Sequence, residues 1–111
     1  VPQLPLEILP ADAKAQLDLG QATLIDVREI SEHQLTHIEG AELIPMNTIP
    51  QNLQHLEALA DEKLLIVFCH HGVRSLNVVN WLRHQGLDNC ISMTGGIDYW
   101  STLVDPEVPR Y

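Results

Sequence analysis

Short apolar blocks alternate along the chain with polar stretches that carry apolar residues at helical spacing. The strongest block is Leu64-Leu65-Ile66-Val67-Phe68, apolar at every position rather than at every second one. Such a run predicts a central parallel strand covered by helices on both faces. Leu6–Leu9, Thr23–Val27, Glu42–Ile44 and Cys90–Met93 predict four shorter strands. Pro10 suits the first turn of a helix that presents Ala13 and Leu17 on one face and ends at Gly20. Glu29–Leu35 predicts a short helix, and Asn52–Ala60 one with Leu53, Leu56, Leu59 and Ala60 on one side. Arg74–Gln85 spaces Leu76, Val78, Val79 and Leu82 by three and four, with Gly86 as its stop, and Ile97–Leu103 reads as a last helix. Strands and helices in alternation predict an α/β fold with a mainly parallel sheet. One domain is expected over 1–111, with a core of about 6–103. The tail, 104–111, carries Pro106 and Pro109 and is expected to lie extended on the surface.

Charge narrows the function. Fifteen acidic residues face six basic ones, for a net charge of −9. That field argues against nucleic acid and against an anionic membrane surface as partners. It also means that any anion site must be local. No apolar run is long enough to span a bilayer. Val1 to Glu7 does not show the basic region and apolar stretch of a secretory signal. The two cysteines, Cys69 and Cys90, lack the dense spacing of a stapled secreted domain. A reducing compartment, the cytoplasm, is the expectation, with Cys69 as a working thiol.

Cys69 directly follows the best strand, and a helix begins a few residues later. Ligands of open α/β sheets bind just beyond the carboxyl ends of the strands. Free N–H groups at a helix N-terminus favour negative charge, and so favour the thiolate, the reactive form of a cysteine. Gly72 lets the loop turn tightly, and Arg74 adds a fixed charge whose planar fork can hold an oxyanion. Cys69-His70-His71-Gly72-Val73-Arg74-Ser75 thus predicts a small anion cradle around one sulfur. The competing reading of Cys69, a small buried hydrophobe at a strand end, does not explain the loop's Gly, Arg and Ser. Cys90 reads as a buried strand residue, and Trp81, Trp100 and Tyr99 as packing residues. Six histidines and Cys69 invite a metal, but no ligand spacing supports one, and no cofactor is expected.

Four segments, in order, resemble the rhodanese superfamily. Leu24-Ile25-Asp26-Val27-Arg28-Glu29 is similar to its "hydrophobic-Asp-Val-Arg" motif. His37-Ile38-Glu39-Gly40-Ala41 with Ile44-Pro45 is similar to its "His-Ile-x-Gly-Ala…Ile-Pro" motif. Cys69 to Ser75 resembles the active-site loop, and Gly95-Gly96-Ile97-Asp98-Tyr99-Trp100 the closing Gly-Gly…Trp motif. The resemblance implies a parallel five-stranded sheet with helices on both faces and a catalytic Cys69. Four residues separate Cys69 from Arg74. The superfamily's phosphatase and arsenate-reductase relatives have one more, so the shorter loop suits a lone terminal sulfur.

The expected function is therefore sulfur transfer from a small donor such as thiosulfate to cyanide or a thiol, through a Cys69 persulfide. The alternative is a persulfide carrier that delivers to a partner protein; phosphatase or arsenate-reductase chemistry ranks behind both. His70, His71, Gly72, Val73, Arg74 and Ser75 are the expected substrate-binding residues. Arg74 is expected both to orient the loop and to meet the donor, with pairing to a carboxylate as its competing role. His70 and His71 are either substrate donors or exposed loop residues. Asp26 and Arg28 support the site, as a structural ion pair in the first instance. His37 is expected to fix its own loop through a backbone hydrogen bond.

Overall fold

A computed structural model describes residues 4–111, so the first three residues of the Val1–Glu7 stretch lie outside the described residues. Five strands form one sheet: β1 (Glu7–Ile8), β2 (Ala22–Asp26), β3 (Glu42–Leu43), β4 (Leu64–Phe68) and β5 (Cys90–Met93). All pairings are parallel, in the order β1-β5-β4-β2-β3. Five α-helices connect them: α1 (Pro10–Asp18), α2 (Ile30–Leu35), α3 (Leu53–Ala60), α4 (Val73–His84) and α5 (Gly96–Leu103).

The unbroken apolar run of β4 has the expected cause. Leu65, Val67 and Cys69 point into one core, with Leu56 of α3 and Val78, Val79 and Leu82 of α4. Ile66 and Phe68 point into the other, with Ala13 of α1 and Ile97 and Trp100 of α5. Side chains alternate across a strand, so only a strand covered on both faces needs every residue apolar. Each fully buried aliphatic side chain contributes about 1.5–3 kcal/mol of transfer free energy. The two cores therefore clamp β4, and with it the position of the loop that begins at Cys69.

Several elements depart from the sequence reading. Met46–Thr48 and Pro50–Asn52 are two 3₁₀ turns, which lead into α3 one residue later than expected. Pro45 and Pro50 limit the backbone here, and no apolar periodicity marks the stretch. The tail does not simply lie extended: Val108 is buried in the α1/α5 core, and Tyr111 packs against the cysteine loop. Trp100 packs as expected, whereas Trp81 and Tyr99 are substantially exposed. Among the described residues, the His37 ring makes no backbone hydrogen bond; it is exposed and stacks on His33 at 4.8 Å. No helix among the described residues is long and apolar enough to cross a membrane.

Candidate active site

The cysteine loop joins β4 to α4. Gly72 is the N-cap of α4 and sits at φ +104°, a conformation open to glycine. That turn brings two main-chain donors onto one sulfur. The N–H of Gly72 lies 3.1 Å from Cys69 Sγ and that of Ser75 3.3 Å. Ser75 Oγ is 3.5 Å from the same sulfur and 2.8 Å from Ser92 Oγ on β5. Among the described residues, the N–H groups of His70, His71, Val73 and Arg74 have no main-chain partner. Main-chain donors around a buried sulfur favour its anionic form.

A second helix terminus holds the loop from the other side. The N–H groups of Ile97 and Asp98, in the first turn of α5, donate to the carbonyls of Cys69 (2.9 Å) and His70 (3.2 Å). This close approach depends on Gly96. A Cβ there would stand 2.3 Å from the Cys69 oxygen and 2.6 Å from the His70 oxygen. The closing Gly-Gly of the sequence thus has a direct role: it lets backbone meet backbone under the cysteine loop.

Arg74 has found a carboxylate. Its Nη1 and Nη2 donate to the two oxygens of Glu32, at 2.7 and 2.9 Å. This two-pronged pairing holds the Glu32 carboxyl down at about 2, chiefly through Arg74, and Arg74 itself above the ordinary arginine range. Glu32 sits on α2, a helix with no buried residue. Its side chain also accepts the N–H of Glu29 at 3.1 Å, in a capping box.

Asp26 and Arg28 form an ion pair with each other beneath the loop. Both are fully buried. Arg28 Nε and Nη2 donate to the two Asp26 oxygens at 2.9 and 2.8 Å, and Nη2 also to the Thr36 carbonyl at 2.8 Å. Nη1 donates to the Tyr111 hydroxyl at 3.0 Å. Burial opposes the charge of Arg28, but its bonds to Asp26 and Tyr111 outweigh that and leave it more basic than usual. A buried charge satisfied in this way costs little to keep and much to break.

The two loop histidines differ. His70 stacks face to face on Tyr111, with centroids 3.8 Å apart and planes 7° apart. Its Nε2 lies 2.9 Å from the Tyr111 main-chain oxygen, which only accepts, so Nε2 carries the proton. His71 is exposed, stacks on His70 at 3.9 Å and lies 4.0 Å from Asp98. Val73 is 70% exposed at the loop's edge. Cys90 is buried away from this cluster, and burial pushes its thiol up. No group of three or more candidate metal ligands occurs among the described residues.

The structure thus gathers Cys69, Gly72, Arg74 and Ser75, with Asp26 and Arg28 behind them. Glu32, Ser92, Gly96 and Tyr111 were not singled out for the site by sequence. Ser92 carried a signal, as the polar residue in an otherwise apolar strand. Tyr111 carried none, because its partners lie up to 83 residues away.

A parallel sheet with a cysteine cradled between strand end and helix start defines the class, a three-layer α/β domain with a thiol at the carboxyl end of its central strand. The chain belongs to the rhodanese-like family: the model of the rhodanese-like domain matches residues 9–103. Thiosulfate sulfurtransferase GlpE of Haemophilus influenzae is 38% identical over 95 residues, covering 85% of this chain and 86% of that protein. The rhodanese-like/PpiC domain-containing protein 12 of Arabidopsis thaliana is 33% identical over all of this chain. Probable adenylyltransferase/sulfurtransferase MoeZ of Mycobacterium tuberculosis is 31% identical over 94% of it. This chain spans only 38% of the Arabidopsis protein and 26% of MoeZ. Among solved structures, a rhodanese-related protein of Thermoplasma volcanium superposes with a TM-score of 0.80 at 29% identity, covering 96% of this chain and all of that one. The human single-domain sulfurtransferase TSTD1 gives 0.78 at 25% identity, covering 90% and 98%. The five-stranded parallel architecture implied by the sequence motifs is thus shared with known rhodanese-like folds.

Proposed function

We propose that this chain is a sulfurtransferase that carries a sulfane sulfur on Cys69. The observation that supports it most is the pair of main-chain N–H groups, of Gly72 and Ser75, on Cys69 Sγ. The thiolate attacks the outer sulfur of thiosulfate; the S–S bond of the donor breaks and sulfite leaves with its electron pair. The Cys69 persulfide then rests among the loop N–H groups, as an oxyanion rests in its hole. Cyanide or a thiolate attacks the outer sulfur and takes it, and the Cys69 thiolate is restored. The cycle needs no external oxidant and no cofactor.

His70 is not the general base in this reading. Its protonated Nε2 is engaged by the Tyr111 main-chain oxygen and is not free to take a proton from Cys69. Four residues between Cys69 and Arg74 make a tight loop, which favours a single sulfur over a tetrahedral oxyanion. Delivery to a protein acceptor is the second reading. It draws on MoeZ, a longer protein named for both adenylyl and sulfur transfer, of which this chain matches one part.

Intact mass after incubation with thiosulfate tests the proposal. One added sulfur, removed by cyanide, is expected in the parent and in Cys90→Ser, and no addition in Cys69→Ser. Loading that survives Cys69→Ser would overturn the mechanism. Turnover with small acceptors, set against transfer to candidate proteins, separates enzyme from carrier. Hydrolysis of an aryl phosphate would favour the phosphatase alternative.

A further inference from the structure

We infer that Tyr111 is a positioning residue of this site, acting on Arg74 through Glu32. The reading rests on the proposed sulfur chemistry only for its biological meaning. The tail is pinned at two neighbouring residues. Arg110 donates through Nε to Asp98 at 2.8 Å, and Asp98 lies in the first turn of α5, which holds the cysteine loop. Tyr111 lies between the buried ion pair and the working one. Its hydroxyl accepts from Arg28 Nη1 at 3.0 Å and donates to Glu32 Oε2 at 2.6 Å. Charges and donors therefore run in one chain: Asp26, Arg28, Tyr111, Glu32, Arg74.

The need for such a bridge follows from α2. No residue of that helix is buried, and polar bonds tie it to the ion pair beneath, His33 Nδ1 to Asp26 at 3.1 Å and the Glu32 carbonyl to Arg28 at 3.4 Å. The Glu32 carboxylate itself accepts from the Glu29 N–H, Arg74 and Tyr111, and Tyr111 ties it to Arg28, the most deeply anchored cation of the site. The phenol shares Arg28 Nη1, the nitrogen that Asp26 does not reach, with the Glu32 main-chain carbonyl, which accepts from it at 3.4 Å. Without the phenol, Glu32 Oε2 would lose its donor on the side away from Arg74, and the oxygen that Arg74 Nη2 bonds would be held less firmly. The surroundings fit: burial first, then Glu32, push the Tyr111 hydroxyl up to about 12, so it stays a donor at any working pH. The ring adds a second constraint by stacking on His70, next to Cys69. A guanidinium fixed by both prongs presents its remaining N–H groups to an anion in one direction; a loosened one does not.

The test uses alkylation of Cys69 by anionic iodoacetate and by neutral iodoacetamide, read by mass. Tyr111→Phe keeps the ring and its stack and removes only the hydroxyl. The iodoacetate rate is expected to fall about threefold, within the range of one hydrogen bond, while the iodoacetamide rate holds. In an Arg74→Ala background, Tyr111→Phe should leave the ratio of the two rates where Arg74→Ala put it, because the effect passes through Arg74. A ratio unmoved by Tyr111→Phe would overturn the inference. So would equal slowing of both reagents, or a further fall in the Arg74→Ala background. Alkylation requires no sulfur transfer. A parent chain that failed to take sulfur would therefore refute the proposed function and leave this test standing.

Discussion

Arg74 carries two roles at residue scale, and their energies can be separated. As a partner of Glu32 it makes two short charge-assisted bonds. As the fixed cation of the loop it would also meet an anionic donor with its remaining N–H groups. Arg74→Ala should weaken the use of thiosulfate by ~1.5–3 kcal/mol, the worth of one hydrogen bond to a charged group. Arg74→Lys should recover only part, because a point charge cannot hold both Glu32 oxygens. Steady-state kcat/KM for thiosulfate, beside that for the acceptor, measures this. An unchanged donor value in Arg74→Ala would make the residue purely structural. Fixed positive charge is scarce in a chain of net charge −9, so few other groups can stand in.

At the scale of elements, the site is two helix starts meeting at one strand end. α4 turns its N–H groups to the sulfur, while α5 turns its own to the carbonyls of Cys69 and His70. Gly96 is the hinge of that arrangement, at φ +59° and with no room for a Cβ. Gly96→Ala should cost at least about 2 kcal/mol, since the left-handed backbone alone costs roughly 1 and the contact with two carbonyls adds to it. A lowered denaturation midpoint together with reduced sulfur loading is expected; a midpoint equal to the parent's would show that the loop tolerates the gap. These elements were largely legible in sequence because their causes are local. β4 announced itself by its apolar run, and β5 spans the same Cys90–Met93 that was expected. The cysteine loop was legible for the same reason, with all its donors inside seven residues. Glu32 and Tyr111 were not, because their roles arise from contacts 42 and 79 residues apart that no periodicity marks. The 3₁₀ turns before α3 were missed because Met46–Asn52 has neither a helical nor a strand repeat.

For the whole molecule, acid acts through two opposed effects. Proton uptake as pH falls lowers the net charge of −9 and relieves the self-repulsion of a strongly acidic chain, and this stabilises the compact state. Glu32 works in the other direction. Its carboxyl is held at about 2 in the folded chain, first by Arg74, against an ordinary 4.5. Its stabilising contribution is therefore complete above about 4.5 and is lost as pH falls toward 2. After screening by solvent it is on the order of 1–2 kcal/mol. Asp98, lowered mainly by Arg110, adds to the same limb from the tail side. The repulsion effect is spread over many screened charges, whereas the Glu32 effect is concentrated in one geometry. Stability should therefore rise slightly from neutral pH, then fall steeply below about 4. Glu32→Gln should be less stable than the parent at neutral pH and should flatten that acid limb, so that the two curves converge near pH 2. Denaturant midpoints taken from pH 2 to 7 would show it. Parallel curves, offset by a constant amount across that range, would mean that Glu32 is not the group whose protonation loosens α2 from the cysteine loop.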